Sequence, residues 1–300
     1  MKSRVEILAA IILGVILPIL LMGNFQRKEI AVEESLSVDV IIEGEVVQLD
    51  METYLTGVLL GEMPGGFHSE ALKAQAVAAR TFTLYNVTKG KHKDGTVCTS
   101  STCCQAYISP EDYISRGGNN ATVEKMFYAV METKGEVLIY NGNLIEATFF
   151  SSSGGITEDA QAVWGTYVPY LQSVQSGEGD MPFKVEMTKE SFCTSLVLPN
   201  GEVYISTPVY TKGDGIAEIV INGKKFTGME LRKALGLRST RISFYVGKDT
   251  IQIVTNGYGH RVGLSQYGAD AMANEGYDYK QILMHYYSGV SIQAYNRDKN

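Results

Sequence analysis

The sequence lacks an excess of positive charge. Its 26 lysines and arginines stand against 33 aspartates and glutamates, which gives a net charge of −7 at pH 7. This balance excludes the basic surface of a nucleic-acid-binding protein, so we expect no nucleic acid partner. Internal repeats and low-complexity stretches are also absent, while 45% of the 300 residues are hydrophobic. The chain is therefore expected to bury a core of the ordinary globular kind.

Two common catalytic signatures are missing as well. The run SSSGG at 151–155 does not fit G-x-S-x-G, which excludes the nucleophile elbow of serine hydrolases. The run GYGHRV at 257–262 imitates a dinucleotide-binding fingerprint, but its sixth residue is Val262 instead of glycine. Because a glycine at that position lets the helix pack closely on the strand, a Rossmann nucleotide site is excluded.

Charge is absent from residues 7–22, close to the N-terminus. An apolar run of this length, extended by the residues up to Phe25, predicts a transmembrane helix. Because no A-x-A-like site follows Met22, we favour an uncleaved anchor over a cleaved signal peptide. The sequence thus predicts a cytoplasmic tip and membrane anchor over 1–25, a linker over 26–36 and a body outside the membrane.

The stretch from Asp50 to Asn86 predicts two helices separated by Pro64-Gly65-Gly66. Many alanines in the second helix indicate burial on nearly all sides. Glu62 ends the first helix among apolar residues, where a carboxylate acquires the raised pKa that a general acid needs near neutral pH. A solvated glutamate at a helix end is the alternative. Arg80 lies on the second helix, and its planar guanidinium presents N–H donors in a rigid arrangement. We therefore expect Arg80 to bind a substrate carboxylate or to orient Glu62.

The remaining patterns predict an α+β fold. Hairpins are expected at 38–49 and 135–150, the latter turning at Asn141-Gly142. We expect the central buried helix to pack on a curved antiparallel sheet. The predicted layout is a catalytic core formed by 37–177 and 251–296, with an inserted α+β subdomain at 178–250.

A polar loop after the second helix carries His92, Cys98 and Cys104, with Cys103 beside the last. Three soft ligands in one loop predict a zinc site. The competing prediction outside the membrane is a disulfide that joins Cys98 to Cys103 or Cys104. The spacing does not decide between them.

Four segments resemble the signature of the stage II sporulation protein D family. In chain order they are EMP…EALKAQAVAARTF from Glu62, FFSSSGGITEDA at 149–160, VWGTYVPYLQSV at 163–174 and NGYGHRVGLSQYGADAMA at 256–273. Their order and spacing fit the family, and they span nearly all of the chain beyond its first few dozen residues. The resemblance implies a membrane-anchored lytic transglycosylase that cuts peptidoglycan glycan strands during engulfment of the forespore. It places the catalytic body on the mother-cell side of the sporulation septum.

The resemblance also implies site residues, because the family has a glycine- and histidine-rich loop before a helix near the substrate. Arg261 stands in this loop where glycine is commoner in the family. The predicted substrate-binding residues are Arg80, Ser152, Ser153, Tyr170, His260, Ser265, Gln266 and Tyr267, and the predicted zinc ligands are His92, Cys98 and Cys104.

The implied reaction needs one carboxylate. Glu62 would protonate the leaving glycosidic oxygen and then take the proton of the muramic 6-hydroxyl, which closes onto C1 and leaves a 1,6-anhydro end. No cofactor is required for this chemistry, so any zinc would be structural. A hydrolase that uses two carboxylates is an alternative, with Glu158 and Asp159 as the best candidates for the second.

The resemblance further implies partners. A partner amidase would strip the stem peptides from the glycan, and a membrane protein would localise the pair. A non-catalytic, wall-binding activator of that amidase is the remaining alternative.

Overall fold

The computed structural model describes residues 36–296. The predicted membrane anchor at 1–25 lies outside the described residues, as does the predicted linker apart from Leu36. Within the described range, no helix combines the length and the apolar character that crossing a membrane requires.

The described residues form nine helices and fourteen short strands. The helices are α1 Met51–Glu62, α2 Ser69–Lys89, α3 Pro110–Ser115, α4 Asn120–Met131, α5 Ala160–Trp164, α6 Lys189–Ser195, α7 Gly228–Ala234, α8 Gln266–Asn274 and α9 Tyr279–Tyr286. The strands are β1 Ser37–Ile42, β2 Glu45–Asp50, β3 Val97–Cys98, β4 Glu136–Tyr140, β5 Asn143–Leu144, β6 Phe149–Phe150, β7 Pro182–Thr188, β8 Val209–Tyr210, β9 Ile216–Ile221, β10 Lys224–Phe226, β11 Arg241–Val246, β12 Thr250–Asn256, β13 Leu264–Ser265 and β14 Ser291–Ala294.

Helix α2 is the central buried helix that the sequence predicts. Its alanines and Leu72 are fully buried, because small side chains let neighbouring helices approach closely. The helix begins after His68, whose side chain accepts a hydrogen bond from the N–H of Glu70, and it ends at Gly90 in the left-handed conformation. It packs against α1, α4, α8 and α9 and against strand β4.

The predicted single curved antiparallel sheet is wrong in its details. The described strands form five small sheets, none with more than three strands. Two pairs of strands are parallel, β1 with β3 and β6 with β13.

Both predicted hairpins form, but the second is shorter than expected. Asn141 and Gly142 have φ values of 49° and 80°, the double positive φ that a two-residue hairpin turn favours. The hairpin ends at Leu144. Strand β6, expected to continue it, pairs instead with β13. This parallel pair sets the serine-rich turn after Phe150 beside the start of α8.

A second hydrophobic cluster lies apart from the main core. Its fourteen buried members fall between Phe192 and Ile253. They include Ile251 and Ile253 of β12, which pairs with β7 and β11. The division into a core and an insertion at 178–250 stays a prediction, with β12 packed on the side of the insertion.

The predicted role of Arg80 in binding substrate is wrong. Its side chain is fully buried and forms an ion pair with Glu52 of α1. It also donates to the carbonyls of Val130 and Glu136, each at 3.2 Å, and the N–H of Gly135 donates to Glu52 Oε1 at 3.3 Å. Because these partners use the guanidinium inside the core, Arg80 ties α1 and α2 to α4 and β4 instead of reaching a ligand.

We expect Arg80→Met to lower the free energy of unfolding by about 3–5 kcal/mol, because it leaves Glu52 charged and buried without a partner. The double variant Arg80→Met with Glu52→Leu should regain part of that loss, since no buried charge then remains unpaired. Urea unfolding followed by circular dichroism measures both effects.

Lys225→Met is the control for this measurement. It breaks the pair with Glu218, whose side chains are 71% and 48% exposed, and should cost at most about 1 kcal/mol. A loss of similar size for Arg80→Met would contradict the structural role of Arg80.

Candidate active site

Glu62 is the last residue of α1 and is half-buried. The helix begins at the N-cap Asp50, and Met63 ends it by adopting an extended conformation. The carboxylate accepts a hydrogen bond from the N–H of Ala106 at 2.6 Å, and Gln266 Nε2 lies 3.5 Å from its other oxygen. Burial raises the pKa of Glu62, and these two hydrogen bonds oppose the rise only in part.

Two glycines of α1 allow the N–H of Ala106 to reach Glu62. A Cβ at Gly57 would lie 2.3 Å from the ring of Tyr107, and one at Gly61 would lie 2.9 Å from the backbone of Ala106. Both distances are far below van der Waals contact. The glycines, one helical turn apart, therefore let the segment after the cysteine loop lie directly on the helix.

Glu62 opens into a groove with a volume of about 810 Å³. Side chains from α1, α5, α7, α8, the cysteine loop and the region around β6 line it. Its polar side chains include Glu62, Lys91, Cys103, Cys104, Glu146, Arg232, His260 and Gln266, and its aromatic ones are Phe82, Phe149, Phe150, Trp164 and Tyr258. A groove of this size and mixed character is typical of a ligand-binding site.

Among the predicted substrate-binding residues, His260 and Gln266 line the groove with Glu62. The predicted contacts of Ser152, Ser153 and Ser265 are wrong, because all three residues are buried behind its wall. Ser153 and Ser265 each donate from Oγ to Glu178 Oε1 at 2.7 Å. Ser265 also caps α8, so it positions Gln266 at the start of that helix.

Tyr170 and Tyr267 are partly buried and are not among the residues that line the groove, and their contacts with substrate stay predictions. The hydroxyl of Tyr170 accepts a hydrogen bond from the N–H of Glu146 at 3.1 Å. The ring of Tyr267 packs edge-to-face on Phe67 with 4.9 Å between centroids.

The second carboxylate of the groove is Glu146. Burial raises its pKa, opposed by the nearby charge of Lys91. The prediction that Glu158 or Asp159 is the second carboxylate is wrong, because both side chains bind other residues. Glu158 is buried 3.5 Å from Arg261, and Asp159 caps α5 by accepting from the N–H of Ala162 at 2.7 Å.

Arg261 stands where glycine is expected, and it adopts a backbone conformation that favours glycine. Its φ is 67°, in the left-handed region that favours glycine. The fully buried guanidinium donates to the carbonyls of Ser153 at 2.9 Å, of Ile156 at 2.8 Å and of Gly213. These bonds offset the cost of the backbone conformation and hold the loop around His260 in place.

His260 is a neutral groove residue. Burial and, to a smaller extent, the charge of Arg232 lower its pKa to about 4, against the opposing effect of a hydrogen bond with the backbone of Phe149. Its ring contacts Phe150 and Trp164, with centroids 5.6 and 5.4 Å away. Its Nδ1 accepts a hydrogen bond from the N–H of Val262 at 3.1 Å, and at neutral pH the ring does not carry a charge.

Three groove residues escape prediction from the sequence. Glu146 lies just before the motif FFSSSGG, and Trp164 lies within the motif VWGTY. Their positions in the sequence could therefore have indicated a place in the groove. Arg232 lies in the predicted insertion, far from any motif, and nothing in the sequence marks it.

The three predicted zinc ligands come together, and Cys103 joins them. One ligand atom from each of His92, Cys98, Cys103 and Cys104 lies within 4.8 Å of the others. His92 Nε2 is 3.3 Å from Cys104 Sγ and 3.6 Å from Cys103 Sγ. Ligand atoms of a tetrahedral zinc site lie roughly 3.5–3.8 Å apart, given metal–ligand bonds of about 2.0–2.3 Å. One histidine and three cysteines therefore fit zinc, and all four cysteines of the described chain are free thiols.

The geometry thus defines an α+β protein with a buried carboxylate of raised pKa in a wide, aromatic-lined groove. The family model described as "Stage II sporulation protein" matches residues 43–140. Stage II sporulation protein D of Bacillus amyloliquefaciens is 36% identical over 267 residues, covering 82% of this chain and 75% of that protein. The protein of the same name from Bacillus subtilis is also 36% identical, with the same shares covered. The chain belongs to the stage II sporulation protein D family.

A relative with a different name also matches. The amidase enhancer of Bacillus subtilis is 31% identical to this chain. The match covers 80% of this chain and 40% of that longer protein.

Because the pKa of Glu62 is raised in the folded protein, we expect Glu62 to make the free energy of unfolding depend on pH. A carboxyl group whose pKa is higher in the folded state stabilises that state fully below its unfolded pKa of about 4.3. That contribution is lost as the pH rises through the folded pKa. The free energy of unfolding of Glu62→Gln should therefore exceed that of the wild type by an amount that grows as the pH rises above about 4 and then levels off.

Urea unfolding at a series of pH values measures this difference. The exposed Glu124→Gln on α4 provides the reference for a change of the same kind at the surface. A difference between Glu62→Gln and wild type that stays constant from pH 3 to pH 8 would show that the pKa of Glu62 is not raised.

Proposed function

We propose that this protein is a peptidoglycan lytic transglycosylase in which Glu62 is the general acid and base. The observation that carries the proposal is the position of Glu62. It lies at a helix end, half-buried, in a groove large enough for a glycan strand. A carboxyl group with a raised pKa keeps its proton closer to neutral pH, as proton donation to a leaving oxygen requires.

The reaction follows from this one group. Protonated Glu62 donates its proton to the glycosidic oxygen between N-acetylmuramic acid and N-acetylglucosamine, and the bond to muramic C1 breaks. The resulting carboxylate then accepts the proton of the muramic 6-hydroxyl, whose oxygen attacks C1 and forms the 1,6-anhydro ring. The N–H of Ala106 holds Glu62 in place during both transfers.

The proposed setting comes from the family. The substrate would be glycan whose stem peptides a partner amidase has removed, during engulfment of the forespore. The apolar run at 7–22 supports an anchor in the cell membrane, with the catalytic body outside on the mother-cell side of the septum. A further membrane protein would localise the pair.

A structural zinc site is part of the proposal. His92, Cys98, Cys103 and Cys104 would hold the ion, which would act as a crosslink and take no part in glycan cleavage. Cys104 lies two residues before Ala106, whose N–H binds Glu62. Zinc would thereby keep that N–H in position.

We expect one zinc ion per chain, measured by elemental analysis of the full-length protein. Cys98→Ser should lose the ion and lower the thermal midpoint, because the site then lacks a thiolate. Cys193→Ser, outside the cluster, should keep the zinc. Absence of zinc together with a disulfide at Cys98 in a peptide map would sink the proposal.

Two other functions have a specific observation behind them. Glu146 in the same groove supports a hydrolase with two carboxylates, which would leave a reducing end. The similarity to a protein named amidase enhancer supports a non-catalytic activator of an amidase.

Mass spectrometry of the products from peptide-free glycan distinguishes the three functions. Wild type should release 1,6-anhydro-muramic ends, and Glu62→Gln should lower the rate at least about a hundredfold, as expected for loss of a general acid. Glu124→Gln should match wild type. Reducing ends, lost in Glu146→Gln, would point to the hydrolase. No product from wild type, with stimulation of an amidase that Glu62→Gln retains, would favour the activator.

A further inference from the structure

One cation of the groove has no partner. Arg232 lies in the last turn of α7, half-buried, and lines the groove. Its guanidinium makes no hydrogen bond or ion pair with any residue in the range 36–296, although its backbone carbonyl accepts from the N–H of Leu237. The buried Arg80 and Arg261 each bind a carboxylate and two or more carbonyls. Arg232 therefore keeps all its donors for something outside the protein.

The charges around Arg232 leave it uncompensated. His260 is neutral because burial holds its pKa at about 4. Of the two groove carboxylates, Glu146 is opposite Lys91, and Glu62 binds Ala106 and Gln266. Although the chain carries a net charge of −7, this end of the groove is positive. An anionic ligand would supply the missing charge.

Two exposed aromatic rings line the same groove, and the guanidinium of Arg238 lies over one of them, Tyr258, at 5.3 Å from the ring centroid. Trp164 is 44% exposed and Tyr258 is 52% exposed, and both line the groove. Their faces suit the apolar face of a sugar ring, since an aromatic ring keeps one side for packing while its edge stays in water. The ligand that fits both features is a sugar with a free carboxylate. An arginine fork binds a carboxylate through two parallel hydrogen bonds.

We propose that Arg232, Trp164 and Tyr258 form a subsite for a muramic residue whose lactyl carboxylate is free. This inference rests on the proposed glycan substrate. The lactyl carboxylate is charged only where no stem peptide is attached, because the peptide converts it into an amide. The subsite thus gives the groove a charge-based preference for peptide-free glycan.

The subsite also assigns a role to the region predicted as an insertion. Arg232 comes from that region, while Trp164 lies in the predicted core. Several contacts join the two regions, and two of them involve Glu158 and Arg261. Thr211 donates to Glu158 at 2.8 Å, and Arg261 donates to the carbonyl of Gly213. These bonds hold α7 where its last turn faces the groove.

Binding to two peptide-free glycans tests the subsite. One glycan keeps its lactyl carboxylates, and in the other they are converted to methylamides. The full-length Glu62→Gln variant is used so that no cleavage occurs. It should bind the carboxylate glycan about tenfold more tightly than the amide, the size expected for a hydrogen-bonded charge pair.

Adding Arg232→Gln should remove this preference by weakening binding of the carboxylate glycan alone. Arg232→Lys should restore part of it, because the charge returns without the fork. The exposed neighbour Lys233→Gln is the matched control and should keep the full preference. The thermal midpoint of Arg232→Gln should not fall below that of its parent, which separates lost binding from lost folding.

The outcomes separate the subsite from the proposed reaction. A preference that survives Arg232→Gln, or that the parent never shows, overturns the subsite even if wild type releases anhydro products. A preference that Arg232→Gln removes supports the subsite even if wild type releases no products, in which case only the proposed cleavage fails.

Discussion

The buried ion pair between Glu52 and Arg80 is the interaction on which the rest of the structure depends. It joins α1 to α2, and through the carbonyls of Val130 and Glu136 it also joins α4 and β4. Burying two charges is costly unless they pair and their remaining donors are satisfied, so this contact admits one relative placement of the four elements. Glu62 lies at the opposite end of α1 from Glu52, and the placement of α1 decides where that carboxylate opens.

The environment of Glu62 depends on a second constraint, the close approach of the cysteine loop to α1. Gly57 and Gly61 remove the side chains that would hold the loop away, and Ala106 then donates to the carboxylate. The four ligand atoms of His92, Cys98, Cys103 and Cys104 lie at the base of the same loop. Helix packing and the geometry of the cysteine loop together determine the hydrogen bond between Ala106 and Glu62. The carboxylate remains buried enough for its pKa to rise and open enough to reach a substrate.

Two parts of the groove differ in the charge of the side chains that line them. Glu62 and Gln266 form one, where burial favours the protonated acid. At the other, neutral His260 and unpaired Arg232 lie among aromatic rings. A glycan strand with alternating neutral and acidic sugars would find a proton donor at one position and a cation at another. The serines expected to touch the substrate are instead buried, and two of them bind Glu178.

Local patterns in the sequence determined the two helices on either side of Pro64, the turn at Asn141-Gly142, the helix-end position of Glu62 and the grouping of His92 with Cys98 and Cys104. Each depends on neighbours in the chain, so spacing and turn chemistry suffice. Tertiary structure alone decided that Arg80 pairs with Glu52, that Glu146 and not Glu158 enters the groove, and that Arg232 of α7 faces His260. These outcomes depend on which distant segments meet, as in the parallel pairing of β6 with β13, and whether a charged side chain finds a partner inside the core cannot be read from its neighbours in the chain.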